Sequence, residues 1–246
     1  MKPRKLSVLV PVYNEAATVE TLIGRVRSVK LPASLELEVV AVDDGSTDGT
    51  AAALERLAGA GLVVERHGRN RGKGAALRTA LARATGDFVL VQDADLEYDP
   101  ADYPALLAPL LDGRADAVYG SRFLGGPHRV LLFWHYAANK LFTLLTNVLY
   151  NVNLSDMGVC YKAFRADLLR SFPLREDRFG FEPEVTAKVA KGGWRIYEVG
   201  ISYSGRTYAE GKKIGLKDAF QGARCIVRYS VLWDRTIGLL TTGDPS

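Results

Sequence analysis

Two aspartates separated by one residue, Asp93 and Asp95, are the side chains whose spacing most suggests chemistry. They follow the apolar run 88–91, at the point where a strand would open into a loop. Hard carboxylate oxygens suit Mg²⁺ or Mn²⁺, which bind such carboxylates together with the phosphate oxygens of a substrate. Glu97 is a candidate third ligand. A solvated turn is the alternative, and the position directly after a buried strand favours the metal site.

A second acidic pair, Asp43 and Asp44, follows another strand-like run and precedes Gly45. A carboxylate here can accept hydrogen bonds from a ribose or a base, and glycine lets the backbone approach a ligand. A turn followed by a helix cap is the alternative. It would explain Gly45, Ser46 and Asp48 but not the paired aspartates, so we expect both roles.

The glycine-rich segment 70–74 (NRGKG) resembles a phosphate-binding loop, but it lacks the Ser or Thr that follows Lys in a Walker motif. Its backbone N–H groups, or Lys73, can still meet an anion at a helix N-terminus. A flexible turn that begins a helix is an equally good interpretation.

Basic side chains near glycine or polar turns form a further group of candidates. The segment 206–214 (RTYAEGKKI) is typical of a mobile loop whose cationic tips close over two phosphates. Taken singly, each charge is better explained as a surface charge. The group consists of Arg122, Arg129, Lys140, Arg206, Lys212 and Lys213. The three histidines have no metal-ligand or triad spacing, so we assign them no catalytic role.

These side chains need a scaffold, and the hydrophobic pattern predicts one. Short apolar runs at 6–12, 37–42, 62–65 and 88–91 alternate with helical patterns, which predicts an α/β fold with a Rossmann-like, doubly wound, mostly parallel sheet and helices on both faces. Ligands bind such sheets beyond the carboxyl ends of the strands. The loops 13–15, 43–46 and 93–95 should therefore meet in one crevice.

The second half of the chain is less regular. We predict strands near 117–119, 159–164 and 196–199 and a helix over 182–191. Two amphipathic helices, at about 130–150 and 216–232, complete a single domain over 1–235, which a tail at 236–246 follows. The first carries a polar stripe every four residues, formed by His135, Asn139, Thr143 and Asn147. Either helix can pack on the domain with its polar face solvated, but the broad apolar face of the first favours contact with a bilayer.

Composition narrows the class of protein. With 246 residues, 48% hydrophobic and 24% charged, the chain is neither disordered nor fibrous. A net charge of +4 suits a polyanionic partner but does not indicate which kind of polyanion it is. We do not expect nucleic acid to be that partner. The two cysteines lack CxxC spacing, and neither a signal peptide nor a spanning apolar run is evident. We therefore expect a cytoplasmic protein that contacts the cytoplasmic face of a membrane peripherally.

Eight motifs, taken in order, resemble family-2 inverting glycosyltransferases of GT-A fold, and specifically the dolichol- or polyprenol-phosphate mannosyltransferases. They are VPVYNE (10–15), DDGSTD (43–48), NRGKG (70–74), DAD (93–95), GSRF (120–123), DMGVCYK (156–162), RFGFEPE (178–184) and RTYAEGKKI (206–214). The resemblance implies transfer of a sugar, with inversion, from GDP-mannose or a UDP-sugar to a polyprenyl or dolichyl phosphate. It also implies a Mg²⁺ or Mn²⁺ cofactor.

The same resemblance assigns roles to residues. It implies that Asp93, Asp95 and Glu97 hold the metal, although the family often has Gln at the position of Glu97. The nucleotide would be bound by Pro11, Tyr13, Glu15, Asp43, Asp44, Lys73 and Asp93. Catalysis would depend on Asp95, Arg122 and Arg206, and the acceptor phosphate would meet Arg122, Arg129, Lys140, Lys212 and Lys213. Asp156 and Glu182 would contact the sugar.

Three rival functions remain at this point. A family-2 enzyme acting on a hydroxyl acceptor would need a general base, such as Asp156 or Glu182, whereas a phosphate acceptor is already ionised. A sugar nucleotidyltransferase would carry a glycine-rich loop after the first strand, where this chain has residues 11–15. A non-catalytic protein that binds nucleotide sugars is the third.

Overall fold

The computed structural model describes residues 4–32, 34–59, 61–125, 128–130, 132–206 and 216–237. Within these residues seven strands form one sheet. They are β1 (Arg4–Val12), β2 (Leu35–Asp43), β3 (Leu62–Arg66), β4 (Phe88–Val91), β5 (Ala117–Ser121), β6 (Lys162–Arg165) and β7 (Ile196–Gly200). Their spatial order is β3-β2-β1-β4-β6-β5-β7.

The sheet is parallel except at one strand. β1 lies parallel to β2 and β4, β2 to β3, and β5 to β7, whereas β6 runs antiparallel between β4 and β5. This confirms the predicted doubly wound, mostly parallel sheet. Val8 and Leu90, in the central strands β1 and β4, are fully buried, which explains the continuous apolar runs in the sequence.

Helices cover the sheet and connect its strands. They are α1 (Val19–Ser28), α2 (Thr50–Leu57), α3 (Lys73–Arg83), α4 (Tyr103–Leu111), α5 (Phe133–Tyr150), α6 (Ala166–Arg170), α7 (Phe181–Lys191) and α8 (Leu216–Ile237), with a 3₁₀ turn at Pro100–Asp102. In α1, Val19, Leu22, Ile23 and Val26 are buried at the helical spacing that predicted it. The N-cap of α2 is Gly49, and the preceding Asp48 accepts a hydrogen bond through Oδ1 from Thr50 N at 2.9 Å, in the first turn of the helix.

One predicted strand is shorter than expected. The pattern placed a strand at 159–164, but β6 begins only at Lys162. The chain before it forms a turn in which the Lys162 ammonium donates to the carbonyl oxygens of Met157 and Val159. Because Lys162 is buried, these carbonyls replace water around its charge.

The predicted helix at 130–150 is α5, and its orientation is the reverse of an ordinary surface helix. Phe133, Trp134, Leu144 and Val148 are 65%, 79%, 58% and 72% exposed. The polar stripe faces inward, where Asn147 pairs with the backbone of Leu154. The interpretation that the polar face of this helix is solvated is therefore wrong.

The predicted helix at 216–232 is α8, which extends to Ile237. Its Cys225, Ile226 and Tyr229 are buried, while Phe220 and Val227 are exposed. α8 packs beside α5, where the Tyr150 hydroxyl donates to the carbonyl oxygen of Ile226 at 2.6 Å. None of the helices in the described ranges is both long enough and apolar enough to cross a membrane.

Candidate active site

An open cleft of about 870 Å³ lies at the carboxyl ends of β1, β2 and β4. Each of the three acidic loops contributes side chains to its lining. They include Pro11, Tyr13 and Glu15 after β1, Asp44 after β2, and Asp93, Asp95 and Glu97 after β4. This confirms the expectation that the three loops meet in one crevice, because parallel strands bring their carboxyl ends to the same edge.

Lys73, at the start of α3, joins the loop after β4 to α7. Its Nζ lies 2.7 Å from Asp93 Oδ1 and 3.1 Å from Glu182 Oε1. Burial would lower the pKa of this lysine, but the negative charges of Asp93 and Glu182 raise it well above its ordinary value. A permanent positive charge therefore lies at the floor of the cleft, between two carboxylates.

Arg206 is the second cation at the cleft, and it faces three carboxylates. Its Nη2 lies 3.1 Å from Asp95 Oδ2 and 3.4 Å from Glu15 Oε1. Its Nε lies 3.4 Å from Glu97 Oε1. We call Glu15, Asp95 and Glu97 the carboxylate cluster. The guanidinium neutralises part of the charge that the cluster concentrates.

The pKa of Asp95 reflects its burial and the negative charges around it. Burial and the nearby charges of Asp93 and Glu97 raise the pKa of this carboxyl to about 7, although Arg206 acts in the opposite direction. Asp93 and Asp95 supply the hard oxygen ligands that Mg²⁺ and Mn²⁺ prefer, beside space for further ligands in the cleft. Within the described part of the chain, no three acidic, cysteine or histidine side chains could hold a metal ion by themselves. The donor set thus fits an ion that takes its remaining ligands from a substrate.

Glu97 is held by the segment that carries Arg206. Its Oε1 accepts from Arg206 N at 2.9 Å and its Oε2 from the Tyr203 hydroxyl at 2.7 Å. Leu96 has a φ of 62°, a left-handed conformation that is uncommon for a branched residue. This turn lets Glu97 N donate to Asp95 Oδ1 at 3.1 Å. Glu97 therefore ties two loops together, and its role as a metal ligand stays a prediction.

Asp44 organises the neighbouring glycine-rich loop. Its Oδ1 accepts from Arg71 N at 3.0 Å and its Oδ2 from Gly72 N at 2.7 Å. Oδ1 also lies 2.6 Å from His67 Nδ1. The backbone N–H groups of segment 70–74 thus bind an anion, as the sequence suggested, but that anion is the side chain of Asp44.

Gly45 is required for a reason other than the expected approach of a ligand. It has a φ of 71°, and a Cβ atom here would lie 2.4 Å from the carbonyl carbon of Arg69. The missing side chain lets the loop after β2 pack on the loop after β3. The neighbouring Asp43 is buried, accepts from Ser46 N at 2.9 Å and is not part of the lining of the cleft. Among the residues that the structure describes, its Oδ2 has no hydrogen-bond partner, although Arg66 Nε is 3.2 Å away.

Arg122, after β5, also lines the cleft and is paired with Asp156. Its Nε and Nη2 each lie 2.7 Å from a different oxygen of that carboxylate, which is a bidentate ion pair. Asp156 itself is fully buried and does not line the cleft. The prediction that Asp156 contacts the sugar is therefore not supported by this geometry, because Arg122 stands between it and the cleft.

The other predicted phosphate-binding residues are distributed more widely. Lys140 Nζ donates to the carbonyl oxygen of Ser155 at 3.0 Å and lies 4.2 Å from the ring centroid of Phe123, outside the lining of the cleft. Arg129 also lies outside the lining, where its Nη1 donates to the carbonyl oxygen of Gly205 at 3.3 Å. Lys212 and Lys213 lie outside the described residues. Of the residues predicted to bind the acceptor phosphate, Arg122 is the described one that lines the cleft.

Sequence reasoning missed the wall that α5 gives to the cleft. Trp134, Ala138, Asn139 and Phe142 line it beside Arg122. The signal was present in the four-residue spacing of the polar stripe, which marks the face of α5 that turns inward. What the spacing could not reveal is that the same helix also supplies apolar side chains to the cleft.

Comparisons with known proteins agree with this architecture. A family model described as glycosyl transferase family 2 matches residues 7–172. The chain is 31% identical over 213 residues to an undecaprenyl-phosphate 4-deoxy-4-formamido-L-arabinose transferase of Aeromonas hydrophila, an alignment that covers 84% of this chain and 62% of that protein. It is 30% identical over 224 residues to a dodecaprenyl-phosphate galacturonate synthase of Rhizobium johnstonii, which covers 88% of this chain and 64% of that protein. The chain thus spans less than two thirds of the length of these curated relatives.

A solved structure supports the fold independently. Glucosyl-3-phosphoglycerate synthase from Mycobacterium tuberculosis, crystallised with Mn²⁺, UDP and glucosyl-3-phosphoglycerate, superposes with a TM-score of 0.72. The match covers 92% of this chain and 80% of that chain at 23% identity. At this identity the likeness concerns the fold alone, and it confirms the predicted GT-A-type architecture.

Proposed function

Because the chain belongs to glycosyl transferase family 2, we propose that it transfers a sugar, with inversion, from a nucleotide-diphosphate sugar to a polyprenyl phosphate at a membrane surface. One observation carries the proposal. A single cleft joins the acidic loop of Asp93 and Asp95 to Arg122 and to the apolar side chains of α5. The acidic loop would hold the metal ion of a donor diphosphate, Arg122 would bind an acceptor phosphate, and the apolar side chains of α5 would contact a lipid chain.

The donor would occupy the acidic end of the cleft. Pro11, Tyr13 and Glu15 after β1 would meet the nucleoside together with Asp43 and Asp44, while Lys73 and Asp93 would lie beside the diphosphate. Asp93 and Asp95 would hold Mg²⁺ or Mn²⁺, which when bound supplies positive charge to the leaving diphosphate. Arg206, now 3.1 Å from Asp95, is placed to add a second positive charge to the same group.

The acceptor would lie across from the donor, at Arg122. A phosphate monoester is ionised near neutral pH, so it needs no general base to become a nucleophile. Catalysis then depends on holding the phosphate in line with the leaving group and on stabilising the developing charge. Of the acceptors considered, a phosphate suits the guanidinium of Arg122 best.

A hydroxyl acceptor is less well supported by the candidate bases. Arg122 lowers the pKa of Asp156, whose oxygens are occupied by Arg122 and Asn139. Glu182 is paired with Lys73 at 3.1 Å. Asp156, which is stabilised in its charged form, is a weak base, and the Glu182 carboxylate is engaged by Lys73, so neither residue is well placed to accept a proton from a hydroxyl.

The exposed apolar residues of α5 support a location at a membrane. A patch formed by Phe133, Trp134, Leu144 and Val148 is unusual for a surface in water, and Trp134 also lines the cleft. The entrance for the acceptor would then face the bilayer that contains it. The relatives are named for undecaprenyl- and dodecaprenyl-phosphate chemistry, which agrees with this placement. The cytoplasmic face is proposed because Cys160 and Cys225 are free thiols.

A thermal-shift panel of nucleotides tests the donor half of the proposal. Nucleoside diphosphates and their sugars would be compared with and without Mn²⁺, since a ligand that binds the folded state raises its melting temperature. We expect a metal-dependent rise with one nucleoside diphosphate, lost in Asp93→Asn. If no nucleoside diphosphate or nucleotide sugar stabilises the protein under any metal condition, the proposed function is wrong.

A further inference from the structure

Polar residues of α5 form hydrogen bonds to the loop at 154–158. One of them, Asn139, bonds Asp156, which is the ion-pair partner of Arg122. Asn139 Nδ2 donates to Asp156 Oδ1 at 2.8 Å. Further along the stripe, Thr143 Oγ1 accepts from Met157 N at 3.1 Å. The helix whose apolar side is exposed thus also fixes the loop that carries Asp156.

Asp156 is a buried carboxylate whose geometry depends on few donors. Arg122 supplies three of them, through N at 3.2 Å and through Nε and Nη2 at 2.7 Å each. Asn139 supplies the fourth, on the oxygen that also receives Nη2. Asp156 is fully buried in the intact protein, so the amide of Asn139 supplies a hydrogen bond to this oxygen where bulk water has no access.

The close approach of Asn139 is built into the loop by a glycine. A Cβ atom at Gly158 would lie 2.5 Å from Asn139 Oδ1. Only a residue without a side chain leaves this space, so the amide and the loop fit each other closely. The contact is therefore part of the packed structure and is not a chance encounter of surface groups.

We propose that Asn139 is a positioning residue for the acceptor phosphate, which it affects through Asp156 and Arg122. The inference rests on the proposed function. The amide fixes the Asp156 carboxylate and so the plane of the Arg122 guanidinium that is paired with it. It also takes up part of the negative charge of Asp156, which leaves more of the charge of Arg122 for a phosphate in the cleft.

The test measures binding of farnesyl phosphate, a short prenyl phosphate that needs no vesicle. The full chain with Mn²⁺ and UDP would be titrated calorimetrically with farnesyl phosphate, and farnesol would show how much binding depends on the phosphate. Asn139→Ala is expected to raise the Kd of farnesyl phosphate roughly tenfold, as loss of one hydrogen bond to a charged group predicts. The Kd of UDP should stay close to that of the wild type, because the amide of Asn139 bonds Asp156 rather than the carboxylates of Asp93 and Asp95.

Asn147→Ala is the matched control. Asn147 lies on the same stripe and bonds the backbone of Leu154, so its loss loosens the same loop without touching Asp156. We expect a lower melting temperature but a farnesyl phosphate Kd close to that of the wild type. Equal weakening in the two variants would mean that Asn139 has only a structural role, and would overturn the inference.

Asn139→Asp supplies a variant of the same size with a pH-dependent readout. A protonated carboxyl at this position donates to Asp156 as the amide does, whereas an ionised one repels it. The ratio of the variant's Kd to that of the wild type should therefore increase as pH rises, and the ratio removes the titration of the ligand itself. A ratio independent of pH would contradict the inference.

Failure of the positioning role can be distinguished from failure of the proposed function. If the wild type binds farnesyl phosphate and Asn139→Ala binds it equally well, the positioning role is wrong and the proposed function stands. If the wild type binds UDP but not farnesyl phosphate, the proposed acceptor is wrong, and the role of Asn139 falls with it.

Discussion

The guanidinium of Arg206 and the carboxylate of Asp95 form an ion pair, with Nη2 3.1 Å from Oδ2. The same guanidinium lies 3.4 Å from both Glu15 and Glu97. A protein cation therefore already neutralises the carboxylates beside which a divalent ion would bind. Arg206 and the metal ion would compete for Asp95 before the donor binds, and they would act together once a diphosphate is present.

Arg206→Ala should therefore separate metal binding from turnover. Removing the competing charge is expected to tighten Mn²⁺ binding to the nucleotide-free protein, roughly tenfold, while transfer activity falls because one charge on the leaving group is lost. Calorimetric titration with Mn²⁺ gives the first quantity and a transfer assay the second. Arg114→Ala, which removes an equal charge beside Asp112, is the control and should change neither. Weaker Mn²⁺ binding in Arg206→Ala would contradict this account.

The pKa of Asp95 predicts how pH affects the metal-free protein. It is raised from 3.8 to about 7, so the folded state binds this proton more tightly than the unfolded state does. The contribution of Asp95 to stability is therefore present at low pH and is lost as pH rises from 3.8 to about 7. A metal ion must displace the same proton, so Mn²⁺ affinity should increase with pH through this range.

Melting temperatures measured across this pH range, with and without Mn²⁺, check both statements. The stabilisation by Mn²⁺ should grow with pH in the wild type. In Asp95→Asn that trend should largely disappear, because the titrating carboxyl is gone. A stabilisation that is independent of pH in the wild type would show that Asp95 is not the proton-linked ligand.

Alanine substitutions at two helical glycines should have opposite effects on the stability of the protein. A Cβ atom at Gly74 in α3 would lie 2.1 Å from the carbonyl oxygen of Glu176, whereas one at Gly24 in α1 would meet nothing within 4 Å. Gly74→Ala is expected to destabilise the protein by about 2 kcal/mol through displaced backbone, and Gly24→Ala to stabilise it by about 1 kcal/mol. Denaturant unfolding measures both. Equal effects of the two substitutions would contradict the packing of the loop at 176–178 on α3.

The exposed apolar residues of α5 predict that substitutions on this helix can weaken membrane binding without unfolding the protein. Leu144→Gln combined with Val148→Gln should weaken binding to phospholipid vesicles roughly thirtyfold, about 2 kcal/mol for two apolar side chains, while leaving the melting temperature unchanged. Vesicle co-sedimentation provides the measurement. Val63→Gln changes an exposed apolar residue on β3 and serves as the control. Vesicle binding that survives the double substitution would mean that α5 does not face the bilayer.

The first half of the fold was predictable from sequence because its signals are local. The apolar runs of β1, β2 and β4 are buried on both faces, so they stand out, and parallel strands necessarily bring their carboxyl ends together. The meeting of Glu15, Asp44, Asp93 and Asp95 in one cleft follows from those two facts. The partners that these carboxylates have in the absence of ligand did not follow, since Arg206 comes from a position 111 residues beyond Asp95.

The surroundings of Arg122 were harder to predict because their residue pairs are distant in the sequence and α5 has two plausible orientations. Arg122 and Asp156 are 34 residues apart, and nothing in the local sequence indicates that the Asp156 carboxylate is buried behind Arg122. A polar stripe on α5 is compatible with solvent or with a loop, and only the hydrogen-bonding needs of residues 154–158 decide between them. The charge of Lys140 predicts a phosphate-binding role, but its ammonium donates to the carbonyl oxygen of Ser155.

The most direct test of the central claim is to look for the product. The protein would be incubated with Mn²⁺, farnesyl phosphate and each of a panel of nucleotide sugars, and the products analysed by mass spectrometry and by NMR of the anomeric proton. The account predicts a glycosyl farnesyl phosphate of inverted anomeric configuration with at least one donor, abolished by EDTA and by Asp95→Asn. Transfer to hydroxyl acceptors or hydrolysis of the donor, with no glycosyl farnesyl phosphate from any nucleotide sugar, would contradict it.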